Sequence, residues 1–183
     1  IDLPLVHVLA LIEKNGIKID KDYLKKLSND FEKEIKKISN KIFKISKKEF
    51  NIGSPKQLGE ILFLDLKITG AKKTKSGTFS TDSSTLQDLE LKGYEIARLV
   101  LEWRELTKLK STYTDALFEQ TNQKSSRVHT SFGIANTLTG RLSSNDPNLQ
   151  NIPIRTEKGK KIRDAFISEN KNKLVSFDYS QIE

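Results

Sequence analysis

Residues 20–48 have the sequence DKDYLKKLSNDFEKEIKKISNKIFKISKK, in which apolar positions recur every three or four residues. This is the spacing of one face of an α-helix. Asp20 stands directly before the pattern and can accept a hydrogen bond from the free N–H groups of the first turn. The stretch therefore predicts a helix of about 28 residues, about 42 Å long. Its apolar stripe consists of Leu24, Leu27, Phe31, Ile35, Ile38, Ile42 and Ile45.

A second stretch with the same spacing runs from Tyr94 toward Gln120. A narrow apolar stripe on one long helix is buried best against the stripe of another helix. We therefore expect the two helices to pair as a long antiparallel arm, with Phe31 and Trp103 in the core. The apolar positions of the second helix are Ile96, Leu99, Trp103, Leu106, Leu109, Tyr113 and Leu117.

Shorter elements are predicted around this arm from helix-capping residues and turn residues. Residues 71–80, AKKTKSGTFS, favour an exposed loop over a phosphate-binding cradle, because Gly70 and Gly77 lack the P-loop spacing. The predicted helices are one closed by Asn15-Gly16, one that begins at Ser54-Pro55, and one capped by Thr81 or Asp82 that ends at Leu91.

The periodicity changes after residue 122. Val128, Thr130 and Phe132 alternate as in a β-strand, and Lys158 to Phe166 favours a short basic helix. Residues 174–177, LVSF, predict a buried strand that ends at Asp178. The fold class expected is α+β, predominantly α, with a long antiparallel helical arm and the first strands of a partial sheet.

Composition excludes several classes of protein. The chain has 183 residues, of which 36% are apolar, and it contains no Cys and no Met. Without cysteine there is no disulfide framework and no thiolate metal site, which fits a reducing compartment such as the cytoplasm. Every apolar run is shorter than the ~18 residues that cross a bilayer, so no membrane span is expected. A chain that lacks Met and begins with Ile1 is expected to be part of a larger protein.

Positive charge is concentrated in two zones. Residues 21–48 hold ten lysines and four acidic residues, and residues 155–173 hold seven basic and three acidic residues. Two separate basic zones indicate an extended polyanion footprint. The alternative is that lysines solvate exposed helix faces. All six arginines lie in the second half of the chain, which favours bidentate contacts there.

The sequence VSFDYSQIE, residues 175–183, places a carboxylate at the end of an apolar run. A strand end is a rigid position for a ligand of Mg²⁺, which binds few, well-placed oxygen atoms. The alternative is a solvated aspartate that begins a turn.

Residues 139–155, TGRLSSNDPNLQNIPIR, combine two arginines with three Asn and one Gln. Amide and guanidinium groups can contact base edges in the minor groove as well as phosphates. The alternative is a loop whose polar side chains satisfy its own backbone.

Several strings in this chain, taken in their order and spacing, resemble the polymerase region of the bacterial DNA polymerase I family, or family A. The resemblance covers essentially the whole chain, and its most specific parts are TGRLSS…DPNLQNIP and DYSQIE. It implies a segment entering the palm at 1–20, a helical thumb at 21–122 and a partial palm at 123–183. The strings are LKSTYTDAL, RVHTSF, TGRLSSNDPNLQNIPIR, RDAFI and FDYSQIE.

The resemblance implies three catalytic residues and a two-magnesium site in the complete polymerase. Asp178 matches the palm carboxylate that binds both metal ions, and the Tyr179 carbonyl would add a ligand. Glu183 matches the residue under the incoming sugar that selects deoxyribonucleotides. Arg141 matches the arginine that contacts the minor-groove edge at the primer terminus.

The resemblance also implies contacts with primer-template DNA, with deoxynucleoside triphosphates as the second partner. Arg104 and Arg155 match basic residues near the template or the phosphates. The residues that would line the duplex are Lys108, Tyr113, Asn148, Gln150 and Asn151.

Two departures from the family pattern qualify these expectations. Residues 133–141, GIANTLTGR, lack the Asn-Gln pair and the second Ala-Thr that usually precede TGRLSS. The 183 residues also contain neither the fingers nor the second catalytic carboxylate, and no proofreading or 5′-nuclease segment. We therefore expect template-directed DNA synthesis from the parent polymerase, and no activity from this chain alone.

Two rival functions follow from the same residues. One is a non-catalytic DNA-binding module that uses the basic arm, and the other is a helical protein-interaction arm with incidental charge. Exposed strand edges of the partial palm are also expected to allow self-association. The expected location is the bacterial cytoplasm, in association with the nucleoid.

Overall fold

The structure is a computed structural model that describes residues 2–74 and 77–180. The chain divides into two compact units, a first formed by residues 1–28 with 111–183 and a second formed by residues 29–110. Within the described residues, no helix combines the length and the apolar character needed to cross a membrane.

The second unit contains the long helical arm. Helix α2, Lys21–Ser46, contributes its residues from 29 onward, and α5 spans Glu95–Leu109. The Trp103 indole N–H donates to Ser39 Oγ at 3.0 Å, and Lys110 Nζ lies 3.6 Å from Glu32 Oε2. The later residue of the second stretch, Lys110, thus contacts the earlier residue of α2, Glu32. The two helices therefore run antiparallel, as predicted.

Burial along the arm follows the apolar stripe. Phe31, Ile38 and Ile42 are buried in α2, and Leu99 and Leu106 are buried in α5. Trp103 is only half-buried, so its expected core position is wrong. Its indole N–H needs a polar partner, and Ser39 provides one at the edge of the interface.

Helix caps form largely where the sequence predicts them. The Asp20 carboxylate accepts a hydrogen bond from the Tyr23 N–H at 2.9 Å. Ser54 caps α3, Pro55–Glu60, which continues into a π-helical turn at Ile61–Asp65. Asp82, rather than Thr81, caps α4, Ser83–Leu91, by accepting from the Thr85 N–H at 2.7 Å.

The helix predicted from Tyr94 to Gln120 is present, but it is not one regular helix. After α5 the chain forms a π-helical segment, Lys110–Asp115, and then α6, Ala116–Gln120. Such segments insert an extra residue into a helix and often occur at functional sites. Tyr113 and Thr114 of this segment are buried in the first unit.

Two small antiparallel sheets belong to the first unit. Strand β1, Ile17–Ile19, follows α1, Asp2–Asn15, and pairs on one side with β2, Arg127–Val128, and on the other with β5, Phe166–Ile167. Strands β3, Ser131–Gly133, and β4, Ser143–Asn145, form the other sheet.

The predicted strand over Val128 to Phe132 is split between β2 and β3, because its two halves pair with different partners. The predicted basic helix is confirmed as α7, Glu157–Arg163. It ends before Phe166 because that residue enters β5.

The strand predicted at residues 174–177 is not formed. Residues 171–180 have no regular secondary structure and are exposed, with Val175 at 67% and Phe177 at 93% relative exposure. A buried strand needs hydrogen-bonding neighbours on its edges and layers on its faces. Among the described residues no strand pairs with this segment, so its apolar side chains stay in contact with solvent.

Candidate functional site

The polar segment predicted to contact nucleic acid forms a well-ordered turn at residues 144–151, the 144–151 turn. It begins within β4 and contains the cis peptide bond between Asp146 and Pro147. The Ser144 hydroxyl is 1% exposed and accepts a hydrogen bond from the Leu149 N–H at 3.1 Å. A hydrogen bond to a buried side chain therefore closes the turn.

Thr130 supports the same turn from the preceding strand region. Its hydroxyl lies 2.6 Å from Ser144 Oγ and bonds to the carbonyls of Asn145 at 3.0 Å and Pro147 at 2.8 Å. Sequence reasoning gave neither hydroxyl a role of its own. The signal was available, since Thr130 lies at an inward position of the alternating pattern and a buried hydroxyl needs partners.

The predicted amide residues occupy the exposed part of the turn. Asn148 Oδ1 accepts from the N–H groups of Gln150 at 3.0 Å and Asn151 at 3.2 Å. Gln150 Nε2 donates to the Leu142 carbonyl at 2.9 Å, which ties the turn to the approach of β4. All three amide residues are exposed, so the structure brings them together on one surface.

Tyr113 lies beneath this surface rather than on it. The residue is buried, its hydroxyl donates to the Asn151 carbonyl, and burial raises the pKa of the phenol. This position suits a residue that holds the end of the turn in place better than a residue that contacts a ligand directly.

The two arginines that flank the turn are both exposed. Arg141 ends a loop whose backbone is held by the Thr137 hydroxyl, which donates to the Arg141 carbonyl at 2.7 Å. Gly140 precedes it with a φ of 72°, a conformation that glycine adopts without strain. Arg155 precedes Thr156, the cap of α7. Both guanidinium groups are thus carried on short, locally bonded segments.

The base of the site is fixed to α1. The Glu13 carboxylate accepts from the Phe132 N–H of β3, and the Arg127 guanidinium donates to the carbonyls of Asn15 and Gly16, each at 3.1 Å. A Cβ on Gly16 would lie 2.5 Å from the Val128 carbonyl oxygen, so only glycine allows this approach. These contacts were not predicted, because they join residues more than 100 positions apart.

The remaining predicted duplex residues, Arg104 and Lys108, belong to the second unit. The Arg104 guanidinium donates to the Thr81 carbonyl and, at 3.3 Å, to its hydroxyl. Burial lowers the pKa of Arg104, and the nearby Asp82 carboxylate opposes that shift. Lys108 is exposed in the last turn of α5.

The predicted metal ligands lie on the exposed segment. Asp178 and Tyr179 are both exposed, and Glu183 lies outside the described residues. A carboxylate and a backbone carbonyl are oxygen donors of the kind Mg²⁺ prefers. The described part of the chain contains no group of three or more His, Asp or Glu side chains that could hold a metal. Asp178 and Tyr179 therefore fit one side of a magnesium site and do not complete it.

Comparison with known proteins identifies the family of this chain. The model of DNA polymerase family A matches residues 21–183. The chain belongs to that family. It is 50% identical to DNA polymerase I of Rhizobium leguminosarum over 183 residues, which is 100% of this chain and 18% of that protein. It is 45% identical to DNA polymerase I of Pseudomonas aeruginosa, again over the whole chain and 20% of that protein.

A solved structure of the family has a similar fold. It is the polymerase domain of Pol1 from M. smegmatis, in complex with DNA primer-template and dNTP. The similarity has a TM-score of 0.82 at 42% identity and covers 91% of this chain and 29% of that chain. The family A chain described here spans about a fifth of the length of its curated relatives.

Proposed function

We propose that this chain supplies the duplex-contacting surface and the first metal-binding carboxylate of a polymerase that adds deoxynucleoside monophosphates to a primer 3′-end. The observation that carries the proposal is the 144–151 turn. Its backbone is fixed from beneath, while Asn148, Gln150 and Asn151 remain exposed between two exposed arginines. A surface of this kind suits minor-groove acceptors, which are alike in all correct base pairs.

The roles in this proposal follow the chemistry of each group. Arg141 and the amides of the turn contact the minor groove near the primer terminus, while Arg104, Lys108 and Arg155 contribute positive charge toward phosphates or template. Tyr113 holds the turn through the Asn151 carbonyl. Primer-template DNA and deoxynucleoside triphosphates are the partners, and Glu183 selects the deoxy sugar.

Asp178 and the Tyr179 carbonyl would hold magnesium. The bound ions would stabilise charge on the phosphoryl oxygens during in-line displacement. The chain's own contribution is to present one carboxylate at a fixed distance from the duplex-contacting turn, once residues 174–177 are covered and paired. Because these 183 residues supply a single carboxylate of the site, we propose that the chain alone does not extend a primer.

The decisive experiment is Asp178→Ala in the complete polymerase, assayed by primer extension and by primer-template binding. Extension should fall by several orders of magnitude while binding changes little, since the carboxylate acts on the metals and not on the duplex. Glu157→Ala is the matched control, because that acidic side chain is exposed and pairs with Lys160 on the surface of α7. Unchanged extension by Asp178→Ala would favour the non-catalytic DNA-binding module instead.

The same proposal places the parent polymerase in the bacterial cytoplasm with the nucleoid. The exposure of Val175 and Phe177 further supports self-association of the isolated chain through this segment. Sedimentation equilibrium of the chain and of Phe177→Ser would measure it, and a monomer at all concentrations would contradict it.

A further inference from the structure

Two buried hydroxyl groups meet beneath the 144–151 turn. Thr130 and Ser144 are 7% and 1% exposed, and their oxygen atoms lie 2.6 Å apart. They come from different sides of the turn, Thr130 from the residue before β3 and Ser144 from β4. The pair therefore links the turn to the strand region that precedes it.

The hydroxyl pair has a defined set of backbone partners. The Leu149 N–H donates to Ser144 Oγ, and the carbonyls of Asn145 and Pro147 accept from the pair at 2.8 to 3.2 Å. Ser144 Oγ accepts from the Leu149 N–H, and the two hydroxyl protons are shared between the bond that joins the pair and the two carbonyls. One hydroxyl alone cannot serve all three.

Burial makes these bonds costly to lose. A buried backbone N–H or C=O without a partner carries its full desolvation penalty, so the turn would shift toward water if one hydroxyl were removed. Leu149 stands between the two amide residues of the turn. A shift of the Leu149 backbone therefore moves Asn148 and Gln150 together.

The movement would also reach Arg141. Gln150 Nε2 donates to the carbonyl of Leu142, the neighbour of Arg141, at 2.9 Å. The far end of the turn is held separately, by the Tyr113 hydroxyl on the Asn151 carbonyl. The hydroxyl pair is thus the buried anchor of the Leu149 backbone, which lies between Asn148 and Gln150.

We infer that Thr130 and Ser144 are positioning residues for base-pair inspection. They hold the backbone of the turn so that the Arg141 and Gln150 side chains reach the minor-groove acceptors of the primer terminus. The inference rests on the proposed function of the turn as a duplex contact. It adds a specific device to that function, since both side chains are buried beneath the exposed amides.

The test compares adenine with 3-deazaadenine at the primer terminus, in single-turnover extension by the complete polymerase. 3-Deazaadenine lacks the N3 acceptor of the minor groove. The unmodified enzyme should lose about tenfold in rate with it, the change that corresponds to about 1.4 kcal/mol. With adenine, the extension rates of Ser144→Ala and Thr130→Val should be about tenfold below that of the unmodified enzyme. Replacing adenine by 3-deazaadenine should lower the rate of each variant by less than about threefold more.

Three further variants separate positioning from loss of fold. Thr130→Ser retains the hydroxyl and should keep the full penalty for 3-deazaadenine. Ser144→Cys keeps the size of the side chain with a weaker hydrogen bond and should give an intermediate penalty. Thr121→Val also removes a buried hydroxyl, which donates to the Leu117 carbonyl away from the turn, and should keep the full penalty.

The outcomes are distinct. A full penalty in Ser144→Ala and Thr130→Val would overturn the inference and leave the two hydroxyls a purely structural role. No penalty in the unmodified enzyme would contradict the minor-groove contact itself, and the inference with it, while the Asp178 experiment would still test DNA synthesis. If Ser144→Ala does not fold, the 3-deazaadenine penalties of Thr130→Ser and Ser144→Cys are compared instead. A full penalty in both variants would overturn the inference.

Discussion

The 144–151 turn and the segment 171–180 carry the two halves of the proposed chemistry, and their structures differ completely. Beyond its first two residues, which belong to β4, the turn has no regular secondary structure, yet its backbone is bonded to Ser144, Asn148 and Tyr113. Residues 174–177 of the segment are predicted to form a strand, yet the segment is exposed along its whole length. The difference shows that hydrogen bonds among nearby residues can stabilise a turn, whereas a central strand forms only when neighbouring strands pair with it.

The consequence for function is a division of labour. The surface proposed to contact the duplex can form from the residues of this chain, because the groups that bond its backbone lie within the chain. The proposed metal-binding carboxylate is present but not positioned, since Asp178 follows the unpaired residues 174–177. DNA binding and catalysis should therefore separate when the chain is studied alone.

The largest effect concerns the stability of the two regions. Ile162→Ala should lower the free energy of unfolding of the 183-residue chain by about 2–5 kcal/mol, because this side chain is fully buried in α7. Phe177→Ala should change it by less than about 0.5 kcal/mol, since Phe177 is exposed. Urea denaturation measures both, and a similar loss in the two variants would show that the segment is packed after all.

The next effect concerns charge around the turn. If about four basic side chains contact phosphates, duplex affinity should fall about 100-fold between 50 and 200 mM salt. Arg155→Gln should reduce the salt slope by about 0.9, whereas Gln150→Ala should weaken binding with the slope unchanged. A filter-binding titration measures the slopes, and affinity that barely responds to salt would favour a protein-interaction arm.

A smaller effect isolates the bonding inside the turn. Asn148→Ala removes the acceptor for two backbone N–H groups and should weaken duplex binding about fivefold, the effect of about 1 kcal/mol. Asn148→Asp keeps the acceptor and should leave the turn in place, with a loss from the added negative charge that disappears at high salt. Equal losses in the two variants at high salt would contradict a role of Asn148 Oδ1 in holding the turn.

The smallest effect tests the last anchored residue before the exposed segment. The Arg127 guanidinium donates to Glu169 at 2.8 Å, and this hydrogen bond and charge hold the pKa of Glu169 below its usual range. A depressed carboxylate pKa stabilises the fold above the unfolded pKa, and that contribution is lost as pH falls through the folded value. Thermal unfolding of Glu169→Gln should therefore be less sensitive to acid than that of the unmodified chain, and equal sensitivity would contradict the pair.

The long helices and their caps could be predicted because their signals are local. The 3.6-residue pattern after Asp20 and the Ser54 and Asp82 side chains act within one or two turns of the chain. The candidate amides and arginines on the surface were also found from composition and resemblance.

Other features could not be predicted because they depend on distant residues. The Thr130 and Ser144 pair is visible only when β3 and β4 are brought side by side, and the Arg127 bonds to Gly16 cross 111 positions. The π-helical segment at Lys110–Asp115 keeps the apolar spacing of a regular helix, so periodicity does not reveal it. The segment 174–177 has the composition of a buried strand, but composition does not supply the neighbouring strands.

The most direct measurement is a crystal structure of the complete polymerase with primer-template, magnesium and a deoxynucleoside triphosphate. We expect residues 174–177 to be paired as a strand, the Asp178 carboxylate to coordinate the metal ions, and the 144–151 turn to face the minor groove. An Asp178 carboxylate that points away from the ions would contradict the proposed function.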